Sequence, residues 1–111
     1  MEELNKRYYR IREVAEILEI PATTLRFWES KFTVVHPRRN AGGQRLYTPA
    51  DIEKIRMIHF LVKEKGLKLE AAQEQLRVNS DGVSRRYEVV RRLRAVRERL
   101  MLIDNSLRVL R

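Results

Sequence analysis

Four residues in one short stretch, Thr23, Thr24, Arg26 and Phe27, are of the types that read a nucleic-acid surface. A guanidinium can bond a phosphate or a guanine edge, short hydroxyl side chains permit close approach, and an aromatic ring packs on sugar or a thymine methyl. A second group, Arg38, Arg39 and Asn40 with Arg45, surrounds Gly42-Gly43. There the cations could grip neighbouring phosphates while the glycines let the backbone come close. Other chemistries find no support. The chain has no cysteine, which removes disulfides, thiolate metal sites and cysteine nucleophiles together. His36 and His59 lack spaced partners and read as packing or surface residues rather than metal ligands. With no nucleophile–base pair, metal-ligand set or phosphate loop, an enzyme is the least supported class, and neither a metal nor a cofactor is expected.

These residues need elements to hold them. Val14, Ile17 and Leu18 recur at helical spacing and predict a short helix over 12–19, with Glu13 in its first turn beside the helix dipole. Glu19-Ile20-Pro21 interrupts it, and Pro21 opens a second helix over 22–31 with Leu25 and Trp28 on its inner face. Two short helices joined by so few residues make a helix-turn-helix, in which the second helix enters a major groove and the first crosses the backbone. Beyond it, Val34-Val35 is β-prone, Pro37 to Gly43 is turn chemistry, and Gln44-Arg45-Leu46-Tyr47 alternates. This predicts a β-hairpin with a basic, glycine-containing tip, placed as a wing after the recognition helix. Thr48-Pro49-Ala50-Asp51 then starts a third helix whose apolar face is Ile52, Ile55, Ile58 or His59, Leu61 and Val62, closed by Gly66 as a left-handed cap. A fourth helix over 69–77 turns Leu69, Ala72 and Leu76 inward.

Asn79-Ser80-Asp81-Gly82 reads as a break before a long final helix over 83–111. Within it Val89, Leu93, Val96, Leu100, Ile103, Leu107 and Leu110 alternate spacings of four and three, the seam of a coiled coil. A helix of that length, at ~1.5 Å per residue, is roughly 40 Å long and cannot hide the stripe by itself. A second copy of the chain would cover it; folding back onto the third and fourth helices is the alternative.

Charge follows the same division. The chain of 111 residues carries a net charge of +9, with 9 basic and 6 acidic side chains over 1–48, 5 and 5 over 49–76, and 10 and 4 over 77–111. Two basic ends around a neutral middle suggest two surfaces facing a polyanion, against the plainer reading of well-solvated Arg-rich helices. The length suits one compact domain, with or without an appendage. No apolar run approaches the ~20 residues of a membrane span, the polar stretch Met1–Arg10 predicts no signal peptide, and the lack of cysteine fits a reducing compartment.

Taken in order, Tyr9-Arg10-Ile11, Glu13-Val14-Ala15, Thr24-Leu25-Arg26-Phe27-Trp28-Glu29, Pro37-x-Arg39, Gly43-x-Arg45-x-Tyr47, Asp51-Ile52, Ile55 and Lys65-Gly66 resemble the MerR family of winged-helix transcription regulators over about residues 8–77. The resemblance implies a mostly α fold: a winged helix-turn-helix with a small β-hairpin wing, a second helix pair, and a long C-terminal helix forming an antiparallel coiled coil in a homodimer. It divides the chain into a DNA-binding domain over 8–78 and a dimerisation helix over 83–111. By position, Thr23, Thr24, Arg26 and Phe27 match the DNA-facing helix. Arg39, Arg45 and Tyr47 match wing residues that meet phosphates or support the wing. Trp28 matches an aromatic used in the core and at the backbone, and Tyr9 and Arg10 could reach phosphate near the first helix. It also implies distortion of a promoter, with RNA polymerase as a further partner, in the bacterial cytoplasm at the nucleoid.

The sequence departs from that pattern at Glu19, where the turn often has Gly, at Pro21 and Lys68, which replace side-chain caps, and at its end, which falls inside the seam with no sensor domain following. Such a chain is either part of a longer one or a minimal regulator, and no inducer is assigned. The expectation is a homodimeric, sequence-specific binder of double-stranded DNA on a roughly palindromic promoter site, with no membrane partner. The alternatives are an architectural or excisionase-like DNA-binding protein, and a helical module whose Arg-rich coiled coil binds an acidic protein.

Overall fold

In the computed structural model, which describes residues 4–110, the element order is α1 (Ile11–Leu18), α2 (Ala22–Glu29), β1 (Arg38–Arg39), β2 (Arg45–Leu46), α3 (Pro49–Lys65), α4 (Leu69–Val78) and α5 (Ser80–Val109). Met1–Glu3 and Arg111, the ends of the polar N-terminal stretch and of the expected final helix, lie outside the described residues. The chain divides into two compact units at Asn79–Ser80.

The first helix starts one residue early because Glu13 turns back on its entry. Its carboxylate accepts the Arg10 N–H at 3.1 Å and pairs with Lys6, and these contacts, Lys6 foremost, hold the Glu13 carboxyl below its usual range. Only the acidic half of a capping box is present, since a guanidinium has no acceptor to return. At the other end Glu19 takes up the left-handed conformation, φ 55° and ψ 41°. A side chain there costs roughly 1–2 kcal/mol. The turn continues through buried Ile20 to Pro21, whose ring sets φ at −55° for the entry to α2 and offers no side-chain cap.

The second helix stops at Glu29, two residues before the expected end. The Lys31 N–H returns to the Trp28 carbonyl at 2.8 Å and the Ser30 hydroxyl donates to the Phe27 carbonyl at 3.2 Å, so the last turn tightens and leaves the helix axis. Val34-Val35, expected to be β-prone, stays outside both strands. The Val34 N–H goes to the Gln73 side chain at 3.4 Å and its carbonyl to Lys54 Nζ at 3.3 Å, so its backbone groups are spent on α3 and α4 rather than on a strand partner. The strands pair antiparallel with Arg38 opposite Leu46 and Arg39 opposite Arg45. Tyr9 adds an antiparallel bridge to Tyr47, with both N–H···O bonds at 2.8 Å.

The third helix begins on a full capping box: Thr48 N–H donates to Asp51 Oδ2 at 3.0 Å and Asp51 N–H to Thr48 Oγ1 at 3.2 Å. Gly66, at φ 65°, ends it. Its buried set is Ile52, Ile55, Met57, Ile58, Phe60 and Leu61, wider than the expected stripe. His59 and Val62 are only half-buried; His59 rests its ring against Trp28, centroids 6.2 Å apart, and burial, then Lys63, pushes its pKa down.

The fourth helix buries Leu69, Ala72 and Leu76, and with them Gln73. Gln73 Oε1 accepts the Thr33 N–H at 2.6 Å and the Thr33 hydroxyl at 3.2 Å, and its Nε2 donates to the Lys31 carbonyl at 3.0 Å. One amide therefore satisfies the backbone that leaves α2, where no strand or helix does so.

In the second unit the expected break over 79–82 shrinks to Asn79, at φ −143° and ψ 58°, and α5 begins at Ser80. Asp81 lies in the first turn, where the dipole favours its charge, and Gly82 is absorbed into the helix at a cost of about 1 kcal/mol. From Arg91 to Val109 every residue of α5 is exposed.

Replacing Gln73 with Ala should cost about 1–3 kcal/mol, because the Thr33 N–H and the Lys31 carbonyl lose their partner; an unchanged urea midpoint would contradict this role. Glu19→Gly should raise stability by up to about 1 kcal/mol, the relief of left-handed strain less the entropy of glycine. Glu19→Val should lower it in the same unfolding measurement.

Candidate nucleic-acid interface

The α2 helix is two-faced. Leu25 and Trp28 are buried, while Thr23, Arg26 and Phe27 are exposed and Thr24 is half-buried. Phe27 stands 61% exposed beside Arg26, with Lys31 Nζ 5.3 Å from its ring centroid. A ring held in water next to a guanidinium suits contact with sugars, methyls or bases better than it suits the core.

The wing is built by Asn40. Its side-chain oxygen accepts the N–H groups of Gly42 and Gln44, each at 3.0 Å, and its carbonyl accepts the Gly43 N–H at 3.0 Å. Gly43, at φ 80°, takes the conformation that a side chain would strain. Asn40, named from the sequence as a possible grip, thus spends its acceptor on the tip. Arg38 is exposed, its Nη1 3.4 Å from the Tyr8 hydroxyl, and Arg39 is exposed, its Nη1 3.5 Å from the Gly43 carbonyl.

Arg45 and Tyr47 support this arrangement from beneath. The Arg45 guanidinium donates to the Glu29 carbonyl at 2.8 Å and pairs with the Glu29 carboxylate at 3.3 Å. The last residue of the exposed helix is thereby tied to the return strand of the wing. Tyr47 is 1% exposed, and burial, with the Glu29 carboxylate next, pushes its hydroxyl pKa well up. Trp28, with its ring in edge contact with Phe32 at 6.5 Å, is in the core as well.

An open concavity gathers six cations. Its rim carries Lys6, Arg10 and Arg12 from the entry to α1, Arg26 from α2, and Arg39 and Arg45 from the wing, against the carboxylates Glu13 and Glu29. Both carboxylates are already engaged, Glu13 by Lys6 and Glu29 by Arg45. Arg10, Arg12 and Arg26 have no ion-pair partner among the described residues and face outward with Arg39. Lys6 and Arg12 were not singled out by the sequence. Arg12 could have been, since it shares the first turn of α1 with capping Arg10. Lys6 is placed by two near neighbours in the chain, its N–H donating to the Tyr9 hydroxyl at 2.9 Å and its ammonium pairing with Glu13, so the nearby carboxylate was the signal that could have found it. Three segments distant in sequence thus present guanidinium groups on one side, suited to successive phosphates along a backbone.

The family model described as the MerR HTH family regulatory protein matches residues 9–78. Among named relatives, the HTH-type transcriptional regulator ZntR of Escherichia coli K12 is 34% identical over 73 residues, 66% of this chain and 51% of ZntR. The HTH-type transcriptional regulator MlrA of Salmonella typhimurium is 44% identical over 50 residues, 45% of this chain and 21% of MlrA. The chain thus spans about half the length of the first and a fifth of the second. In fold it is similar to HiNmlR, described as a MerR family regulator lacking the sensor domain, bound to promoter DNA, with TM-score 0.55 at 20% identity over 90% of this chain and 87% of that one. A MerR family regulator from Bacillus thuringiensis gives 0.53 at 20% identity over 93% and 90%. With its helix-turn-helix, its wing and the match over residues 9–78, the chain belongs to the MerR HTH family of regulatory proteins.

Proposed function

We propose that the protein is a sequence-specific regulator of transcription that binds double-stranded DNA as a homodimer on a roughly palindromic promoter site. The observation that carries this reading is the outward array of Arg10, Arg12, Arg26 and Arg39, set beside exposed Phe27 on a helix whose other face is anchored in the core. Arg26, Phe27, Thr23 and Thr24 meet the base edges. Arg10, Arg12, Arg38 and Arg39 hold phosphates on either side, and Arg45 and Tyr47 act by fixing the wing to α2.

The residues over 8–78 form the DNA-binding domain and those from 83 onward the dimerisation helix, whose exposed seam supports pairing of two copies. A twofold dimer places its two α2 helices in successive grooves on one side of the duplex, so the site mirrors that symmetry. The protein bends or untwists the promoter for RNA polymerase at the bacterial nucleoid, at a cost of ~1–6 kcal/mol by smooth-bending estimates. About 6–10 phosphate contacts offset that cost and give a log–log salt slope of roughly −5 to −9.

Selection of bound duplexes from a random pool tests the reading: a symmetric enriched site is expected, and no enrichment would leave the fold without this role. On the selected site Arg26→Ala should cost about 1–3 kcal/mol and less on random DNA. Equal losses would make Arg26 a phosphate contact. Arg39→Ala should weaken all sequences alike and flatten the salt slope by about 1; an unchanged slope would remove the wing from the contact surface.

A further inference from the structure

On α2 the large apolar side chains Leu25 and Trp28 are buried, but the Phe27 ring stands mostly in water. A phenyl ring has no hydroxyl with which to bond a phosphate or the polar edge of a base, so whatever it recognises is apolar. Its direction narrows the choice. At ~100° per residue, Arg26 and Phe27 stand about 50° to either side of the line that points away from Leu25 and Trp28, and Thr23 lies close to that line, one turn before Phe27. A helix laid in a major groove turns that line toward the floor, where the base edges are, while sugars and phosphates form the rims. The apolar group that base pairs present there is the 5-methyl of thymine; adenine, guanine and cytosine present donors and acceptors.

We infer that Phe27 is a specificity-determining residue that reads a pyrimidine 5-methyl group, on a base pair next to the one whose guanine Arg26 contacts. This deepens the DNA-binding reading above and rests on it. The recognised group is the methyl and not the base. Thymine and 5-methylcytosine carry it; cytosine and uracil do not. A half-site with cytosine at that position is therefore bound more tightly once the cytosine is methylated, and occupancy of such a site follows the methylation of the DNA.

The ring is held in place for this contact. Lys31 Nζ lies 5.3 Å from its centroid, a cation over the π face. Lys31 is fixed in turn, its N–H on the Trp28 carbonyl at 2.8 Å and its carbonyl on Gln73 Nε2 at 3.0 Å. The rest of the ring is open, 61% of the residue being exposed. Covering a methyl with it removes apolar surface from water on both sides. Arg26 has no ion-pair partner among the described residues, so its guanidinium is available for the O6 and N7 of a guanine. Consecutive Cα atoms are about 3.8 Å apart and base pairs rise by ~3.4 Å, so neighbouring residues can serve neighbouring base pairs.

The probe is the duplex enriched by selection, titrated against the full chain. A wild type that binds no duplex overturns the DNA-binding reading and this one with it. Given binding, deoxyuridine replaces the half-site thymines one at a time, which removes the methyl and keeps every hydrogen bond of the base pair. At one position the affinity should fall about fourfold for each half-site changed, the worth of one buried methyl. At that position 5-methylcytosine should bind about fourfold more tightly than cytosine. The Phe27 ring is exposed, so Phe27→Ala leaves the core intact; it should bind the thymine and deoxyuridine duplexes alike at that position. A wild type indifferent to deoxyuridine at every thymine, an enriched half-site without thymine, or a Phe27→Ala variant that still prefers the methyl would each overturn the inference and leave the DNA-binding reading standing.

Discussion

The geometry of the candidate surface depends on one carboxylate. Glu29 closes α2, and its main-chain and side-chain oxygens both hold Arg45, while Tyr47 lies buried two residues further along, just past β2. The exposed helix and the wing are therefore not two independent appendages. An Arg–Glu pair with side chains only 26% and 19% exposed is shielded from salt better than a surface pair, and its hydrogen bond to the main chain fixes direction as well as distance. Just past β2, Tyr47 bridges Tyr9, next to Arg10 and the entry to α1. Cations from three parts of the chain acquire a fixed spacing because they share this joint.

Gln73 plays the corresponding part below. The backbone between α2 and β1 has no regular partner, yet it lies against α4. A buried amide can accept and donate at once, which an aliphatic residue of similar size cannot, and this explains a polar side chain 2% exposed amid Leu69, Ala72 and Leu76. Val34 shows the effect on local preference: β-prone by type, it follows the hydrogen bonds that α3 and α4 offer.

Local chemistry explains what was legible in the sequence. Thr48, Pro49, Asp51 and Gly66 mark helix ends through interactions within one turn, and each sits in the structure as expected. The 3.6-residue periodicity found α1, α2 and α4, and the turn chemistry of Asn40 to Gly43 found the wing. What escaped was tertiary. Met57 and Phe60 are buried because more than one side of α3 is covered, and Gln73 is polar by type yet answers backbone forty residues away. The turn chemistry of 79–82 misled for the opposite reason, since Ser80 and Asp81 favour helix beginnings as readily as breaks. For the candidate surface, residue types were readable, but the split between groups that face outward and groups that brace was not. Arg45 and Arg39 look alike in sequence, and only packing separates them.

The bare aliphatic stripe of α5 has a consequence for dosage. If coverage of that stripe requires a second molecule, the covered form arises from the encounter of two chains, and at concentrations below its dissociation constant its abundance grows with the square of the amount synthesised. A twofold rise in expression would then raise the covered form nearly fourfold.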